Sequence, residues 1–157
     1  MAAMAEPLPE TARTWRFRSQ EDPSAPPDPA VCAAAPFLPN LRLGATLWEE
    51  DGYGERRAGT ATACARIKDP AFPPGARLPF HVVFHLPEGR VTATGEATVI
   101  SNDVPVLGVI LAVCHLKVVE APAGFSGGAA SSLSVFNPAG VPGIATGSEW
   151  TVRLFEN

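Results

Sequence analysis

The side chains best suited to chemistry cluster in two short runs, Gly59–Lys68 and Phe80–Leu86. Read as strands, whose side chains alternate between faces, the first puts Thr60, Thr62, Cys64 and Arg66 on one side and Ala61, Ala63, Ala65 and Ile67 on the other. The second puts His81, Val83 and His85 opposite Phe80, Val82, Phe84 and Leu86. Each imidazole suits general acid or base work near neutral pH. The guanidinium of Arg66 has the donor fork to hold an enolate or carboxylate. At a rise of about 3.3 Å per residue, His81 and His85 stand about 13 Å apart, too far to share a metal ion, so no metal site is expected. Trp48 and Trp150 offer flat walls for a polyene, and Tyr53, in a glycine-flanked turn, suits a mobile rim. Against each stands a plainer reading: solvated or core-edge histidines, a surface arginine and packed tryptophans. His115 and Lys117 share one face of a long strand and read as surface groups, while Glu49, Asp51 and Glu96 are isolated carboxylates. Neither a phosphate-binding glycine loop nor a GxSxG nucleophile elbow occurs.

These residues need strands to position them, and the sequence supplies strands throughout. Beyond those two runs, strand patterns cover Leu41–Glu49, Arg90–Ile100, Val106–Glu120, Ser131–Phe136 and Glu149–Phe155. Between them lie Gly, Pro, Asp and Asn, the residues that set turn dihedrals, and Leu86-Pro87-Glu88-Gly89-Arg90 is the clearest hairpin. No helical period lasts beyond two turns. The fold class is therefore all-β, a barrel or sandwich of seven or eight strands. Two arrangements of the faces remain open: an apolar interior with a threonine-rich outside, or a polar face lining a cavity. Val106–Val113 is apolar on both faces, as in a strand covered twice, which hints at a homo-oligomer interface.

Of 17 prolines, eight fall in the first 40 residues. Residues 1–30 read as a Pro-rich flexible arm, with too little apolar surface to offset the entropy of ordering, and residues 31–157 as the barrel domain. Trp15 and Phe17 alternate with Arg16 and Arg18 like a short strand and are the exception, able to dock on the barrel.

Composition excludes several classes. The cations are ten arginines and two lysines, with a net charge of −4 and no basic cluster, so no nucleic-acid partner is expected. The longest apolar run, Val104–Leu116, is too short for a membrane span and contains Pro105 and Gly108. Cys32, Cys64 and Cys114 are widely spaced, without a CxxC, and read as reduced, buried thiols; together with a start that lacks a secretory pattern, this gives a cytoplasmic expectation.

Three fragments then align with a known pattern. Gly59-Thr60-Ala61-Thr62-Ala63-Cys64-Ala65-Arg66-Ile67-Lys68, after the turn Asp51-Gly52-Tyr53-Gly54, resembles a turn and strand of the allene oxide cyclase and dirigent-like barrel superfamily. Phe84 to Gly95 is similar to that family's next hairpin, and Gly140 to Trp150 to the glycine-rich run before its last strand. The resemblance spans roughly residues 42–155. It implies an eight-stranded antiparallel barrel, often oligomeric, that closes a ring in a reactive intermediate without a cofactor; bacterial relatives form rings in polyketide pathways, spirotetronate-type cycloadditions among them. On that implication Cys64, Arg66, His81 and His85 are the candidate catalytic residues. Trp48, Tyr53, Thr60, Thr62 and Trp150 are the candidate contacts of a hydrophobic small-molecule substrate. The competing expectations are a non-catalytic, lipocalin-like binding barrel and a structural barrel with no cavity.

Overall fold

The computed structural model describes residues 11–50 and 52–157. Eight strands follow one another around a closed antiparallel barrel: β1 (Ala12–Glu21), β2 (Leu41–Glu50), β3 (Glu55–Ala65), β4 (Arg77–Leu86), β5 (Gly89–Ser101), β6 (Ile110–Glu120), β7 (Phe125–Phe136) and β8 (Gly147–Glu156). One short helix, α1 (Pro29–Ala33), lies between β1 and β2. The all-β class expected from the strand pattern is borne out, and of the barrel and the sandwich it left open the fold is the barrel, with eight strands.

Barrel closure depends on the stretch expected to be an arm. β1 pairs with β8 from Ala12↔Phe155 to Gln20↔Gly147, and with β2 over four positions, Arg18↔Trp48 to Glu21↔Ala45. Trp15 and Phe17 are buried, and the alternating arginines face out. An alternating strand with two aromatic residues buries more apolar surface as a barrel stave than the prolines around it could offset by staying loose. The boundary at residue 30 is thus corrected: it falls inside a connection, not between an arm and a domain. The first ten residues of that arm, and Asp51, lie outside the described residues.

The two ends of the barrel differ. The short hairpins β2–β3, β4–β5 and β6–β7 close one end; connections 22–40, 66–76, 102–109 and 137–146 crown the other. Pro87 and Glu88 make the tight turn anticipated from sequence, with Gly89 at φ +135, where a Cβ would press on Pro122.

The 22–40 connection is a strap laid along the outside of β2, β3 and β4. Asp28 caps α1, its carboxylate accepting from the Ala30 amide, while its own amide donates to Thr62 Oγ1 at 2.9 Å. Val31 and Cys32 pack with Cys64 and Val83 in a second small core outside the barrel wall. Asn40 docks the far end, exchanging side-chain hydrogen bonds with the backbone of Ile67 at 2.6 and 2.8 Å. Gly44 is required beneath the strap, because a Cβ there would collide with the backbone of Ala25 to Pro27.

The doubly apolar run is not a doubly covered strand. Residues 106–109 belong to the crown, with Val106 and Leu107 exposed, and β6 begins only at Ile110. Pro105 and Gly108 break the strand there, as such residues do within a ladder.

Candidate functional site

Interior faces decide where chemistry can occur, and they are the apolar ones. Phe80, Val82 and Phe84 of β4 and Ala61, Ala63 and Ala65 of β3 point inward. Towards the hairpin end the interior is solid. Trp15 meets Phe125 edge to face at 5.5 Å, Phe17 stacks on Phe84 at 6.3 Å, and Phe84 meets Trp150 edge to face at 5.1 Å. Towards the crown the same strands carry Ala45, Ala61, Ala63, Ala65, Ala97 and Ala112, and a cavity of about 100 Å³ remains. Trp150 forms its floor.

The cavity wall is two-sided. From β2 round to β6 it is aliphatic and aromatic, whereas β7, β8 and β1 bring Ser134, Ser148 and Ser19 together with Thr146 and Glu21 near the mouth. Cross-strand register sets these serines in a row, since Ser134 pairs with Ser148 and Ser148 with Ser19. Ser132 Oγ lies 2.8 Å from Ser134 Oγ, which lies 2.7 Å from Ser148 Oγ; Ser19 makes a longer contact, 3.5 Å, to the Ser148 carbonyl. Cys114, on β6, is a buried free thiol beside this row. Burial pushes its pKa up, with hydrogen bonds from Ser132 and Ser134 acting in the opposite direction, so the thiol stays protonated at neutral pH.

Two aromatic rings narrow the mouth. Phe72, in the 66–76 connection, meets Phe136 edge to face at 5.7 Å. Phe72 adopts φ +47, an unusual conformation for a bulky residue, held by its amide bond to the Asp69 carbonyl and by Asn102 Nδ2 donating to the Ala71 carbonyl at 3.1 Å. Across the mouth Asn137 braces the 137–146 connection, donating to the Val141 and Ile144 carbonyls at 2.9 Å each. Val104, Val106 and Leu107 stand exposed on the crown.

This geometry redistributes the residues anticipated from sequence. Thr60, Thr62, Cys64, His81 and His85 lie on the outer face of β3 and β4, opposite the inward alanines and phenylalanines. Cys64 is bonded to Cys32, with a Cα–Cα distance of 5.6 Å, so it has no thiol to offer as a nucleophile or acid. The expectation of three reduced cysteines is corrected accordingly; Cys114 alone is free. His81 is buried in the outer wall with Nδ1 2.7 Å from Thr94 Oγ1, and burial lowers its pKa. Arg66 is exposed just past β3, where its amide donates to the Pro79 carbonyl at 3.2 Å. Trp48 lies opposite a bulge at Ala58 of β3 and shares the outer face with its partner Arg18. Tyr53 is fully exposed in the β2–β3 hairpin, at the opposite end from the mouth. Of the nine anticipated residues, only Trp150 lines the cavity. For the β3 and β4 residues the physical reason is the same: filling the barrel interior with phenylalanine, valine and alanine outweighs filling it with threonine and histidine, and Thr62 and His81 are buried on the outer side instead.

The serine row went unanticipated because β7 inverts the usual signal. Ser132 and Ser134 point in, while Leu133 is 55% exposed. The alternation Ser-Leu-Ser-Val-Phe from 132 is visible in the sequence, yet by hydrophobicity alone it assigns the wrong side to the interior. Comparison with protein-family models, with curated proteins and with solved structures gives no match to this chain.

Proposed function

We propose that this barrel binds a small apolar molecule in the crown half of its interior. The observation that carries the reading is the alanine lining, which leaves about 100 Å³ empty between packed aromatic rings and a defined mouth. Ligand pockets usually enclose about 300–1,000 Å³, and an apolar cavity of about 150 Å³ holds a benzene ring. The space is smaller than either, so it takes a short branched chain or part of a ring, and a larger ligand extends through the mouth towards the exposed Val104, Val106 and Leu107 of the crown. Toluene serves as the first probe: titration is expected to shift the methyl resonances of Ala61, Ala63, Ala97 and Ala112 saturably. Shifts that stay flat up to the solubility of toluene would overturn the reading.

Cofactor-free ring closure, implied by the family resemblance, is the second reading, and the serine row favours it. A hydroxyl positioned at a carbonyl can stabilise charge that develops there, and confinement of the reacting ends supplies orientation. In this version the polyketide-type substrate inserts one end and closes its ring at the mouth, with no role for Cys64, Arg66, His81 or His85. Linear ketone precursors incubated with the protein distinguish the two: saturable binding without accelerated closure leaves the binding reading alone.

The Cys32–Cys64 bridge supports an oxidising compartment over the cytoplasm, since structural disulfides persist where thiols are not kept reduced. No helix among the described residues is long and apolar enough to cross a membrane. Denatured protein taken from its native compartment under alkylating conditions is expected to show one free thiol, Cys114; three would restore the cytoplasmic assignment.

A further inference from the structure

We infer that the ligand of this cavity is a neutral molecule with an apolar body and a single hydroxyl or carbonyl oxygen, and that this oxygen sits on the Ser134–Ser148 hydroxyls. The inference rests on the binding reading above and adds the chemistry of the ligand.

Hydrogen-bond accounting makes the case. Ser132, Ser134 and Ser148 hold three hydroxyl protons, but the chain linking them uses only two, at 2.8 and 2.7 Å. One proton is left over at whichever end the chain of donation finishes: at Ser132 the Cys114 sulfur stands beside it as an acceptor, and at Ser148 it faces the cavity. Donation from Ser132 through Ser134 leaves the spare proton on Ser148, on the cavity wall, where it can meet a carbonyl or ether oxygen. Reversal of the chain leaves Ser148 donating inward to Ser134, with a lone pair free to accept from a ligand hydroxyl. The row thus adapts to either form of neutral oxygen without moving a heavy atom.

Charge selects against the alternatives. Among the cavity-lining residues the one acidic side chain is Glu21, which stands at the mouth, and no lining side chain is basic. A carboxylate tail would pass a like charge and then lose its hydration with no cation to meet it. A pure hydrocarbon fills the space but sets carbon against the Ser148 hydroxyl on the wall and uses none of its donor or acceptor capacity, which a ligand oxygen meets. The apolar wall from β2 to β6 faces this row across the cavity, so body and oxygen are directed to opposite sides.

Toluene, phenol and benzoate test the inference, since the first two have the same number of non-hydrogen atoms. In a cavity without polar partners phenol binds far more weakly than toluene, because its hydroxyl gives up water for nothing. Here phenol is expected to bind at least as tightly as toluene, and benzoate at least tenfold more weakly than phenol. Ser148→Ala and Ser134→Ala are each expected to weaken phenol about tenfold while leaving toluene within twofold, with the alanine-methyl spectrum reporting that the barrel remains folded. The wild-type comparison stands even if a variant fails to fold. Toluene binding with phenol much weaker, or benzoate equal to phenol, overturns the inference and leaves the cavity reading intact. Binding of none of the three overturns the cavity reading itself, and the inference with it.

Discussion

The hairpin half of the barrel is held from within, and the crown half from without. In the hairpin half Trp15, Phe17, Leu47, Phe84, Val152 and Leu154 fill the interior, all at 4% exposure or less. In the crown half the same strands spend alanines on the inside, and support comes from the strap across β2, β3 and β4. That support includes Val31 against Val83, the Asp28–Thr62 bond and the Cys32–Cys64 bridge. A hollow barrel half forgoes dispersion contacts that a packed one makes. An outer buttress restores part of them without filling the cavity. A cavity has been opened inside a small fold by moving part of its core to the other side of the wall.

Cutting into the packed half is expected to cost most. Phe84 is fully buried between Phe17 and Trp150, so Phe84→Ala should destabilise the protein by about 3–5 kcal/mol through lost burial and a residual hole. Urea unfolding measures this. A loss below about 1 kcal/mol would mean the hairpin half is no better packed than the crown half and would remove the contrast.

The buttress comes next. The bridge closes a loop with a sequence separation of 32, and its removal by Cys32→Ser with Cys64→Ser should cost about 3–4 kcal/mol on chain-entropy grounds. The distribution of the loss is more telling than its size. Amide exchange should quicken in residues 41–46 of β2 and 60–65 of β3, beneath the strap, while Phe84, Val91 and Val152 keep their protection. Uniform loss of protection would show that the bridge acts on the whole barrel and does not brace one half.

How far the sequence announces this division can be judged strand by strand. Seven of the eight staves, β2 to β8, the Pro87–Glu88 turn and the apolar face of β4 follow from period-two patterning and turn residues, which are local physics. Trp15 and Phe17 carry the signal for β1, but neighbouring prolines obscure it, because closure against β8 joins residues far apart in the chain. The bridge depends on a strap crossing the wall at Gly44, a tertiary fact with no counterpart in cysteine spacing. The cavity was least legible. Alanine-rich faces on β3 and β5 look like weak core, and Ser132 and Ser134 look like solvent positions beside Leu133. A site that breaks the hydrophobic pattern is where pattern reading is expected to fail.

One substitution placed in both halves gives the sharpest contrast at moderate cost. Ala93 is fully buried in the hairpin half, so Ala93→Leu should overpack the core and destabilise by about 1–3 kcal/mol. Ala63 lines the cavity, so Ala63→Leu should fold with stability within about 1 kcal/mol of wild type and abolish toluene binding. Thermal unfolding and the methyl titration read the two effects together. Equal destabilisation by both would mean that the crown half has no room to give.

The smallest expected effect lies in the outer wall, where burial lowers the pKa of His81 from its ordinary 6.5. Its Nδ1 sits 2.7 Å from Thr94 Oγ1, and the neutral ring is the form the fold accepts. Because the unfolded chain takes up a proton on this residue more readily than the folded one, unfolding gains protons as the pH falls. The stability linked to His81 is therefore complete above the unfolded value and is lost progressively below about pH 6.5, until the folded value is passed. Urea midpoints measured from about pH 8 to pH 5 should decline through this window, and His81→Gln, which cannot charge, should flatten that part of the decline. His81 lies on the face of β4 opposite the cavity, so toluene affinity in the variant should match wild type. A parallel fall in affinity would tie the outer wall to the cavity and make the two sides of this barrel one functional unit.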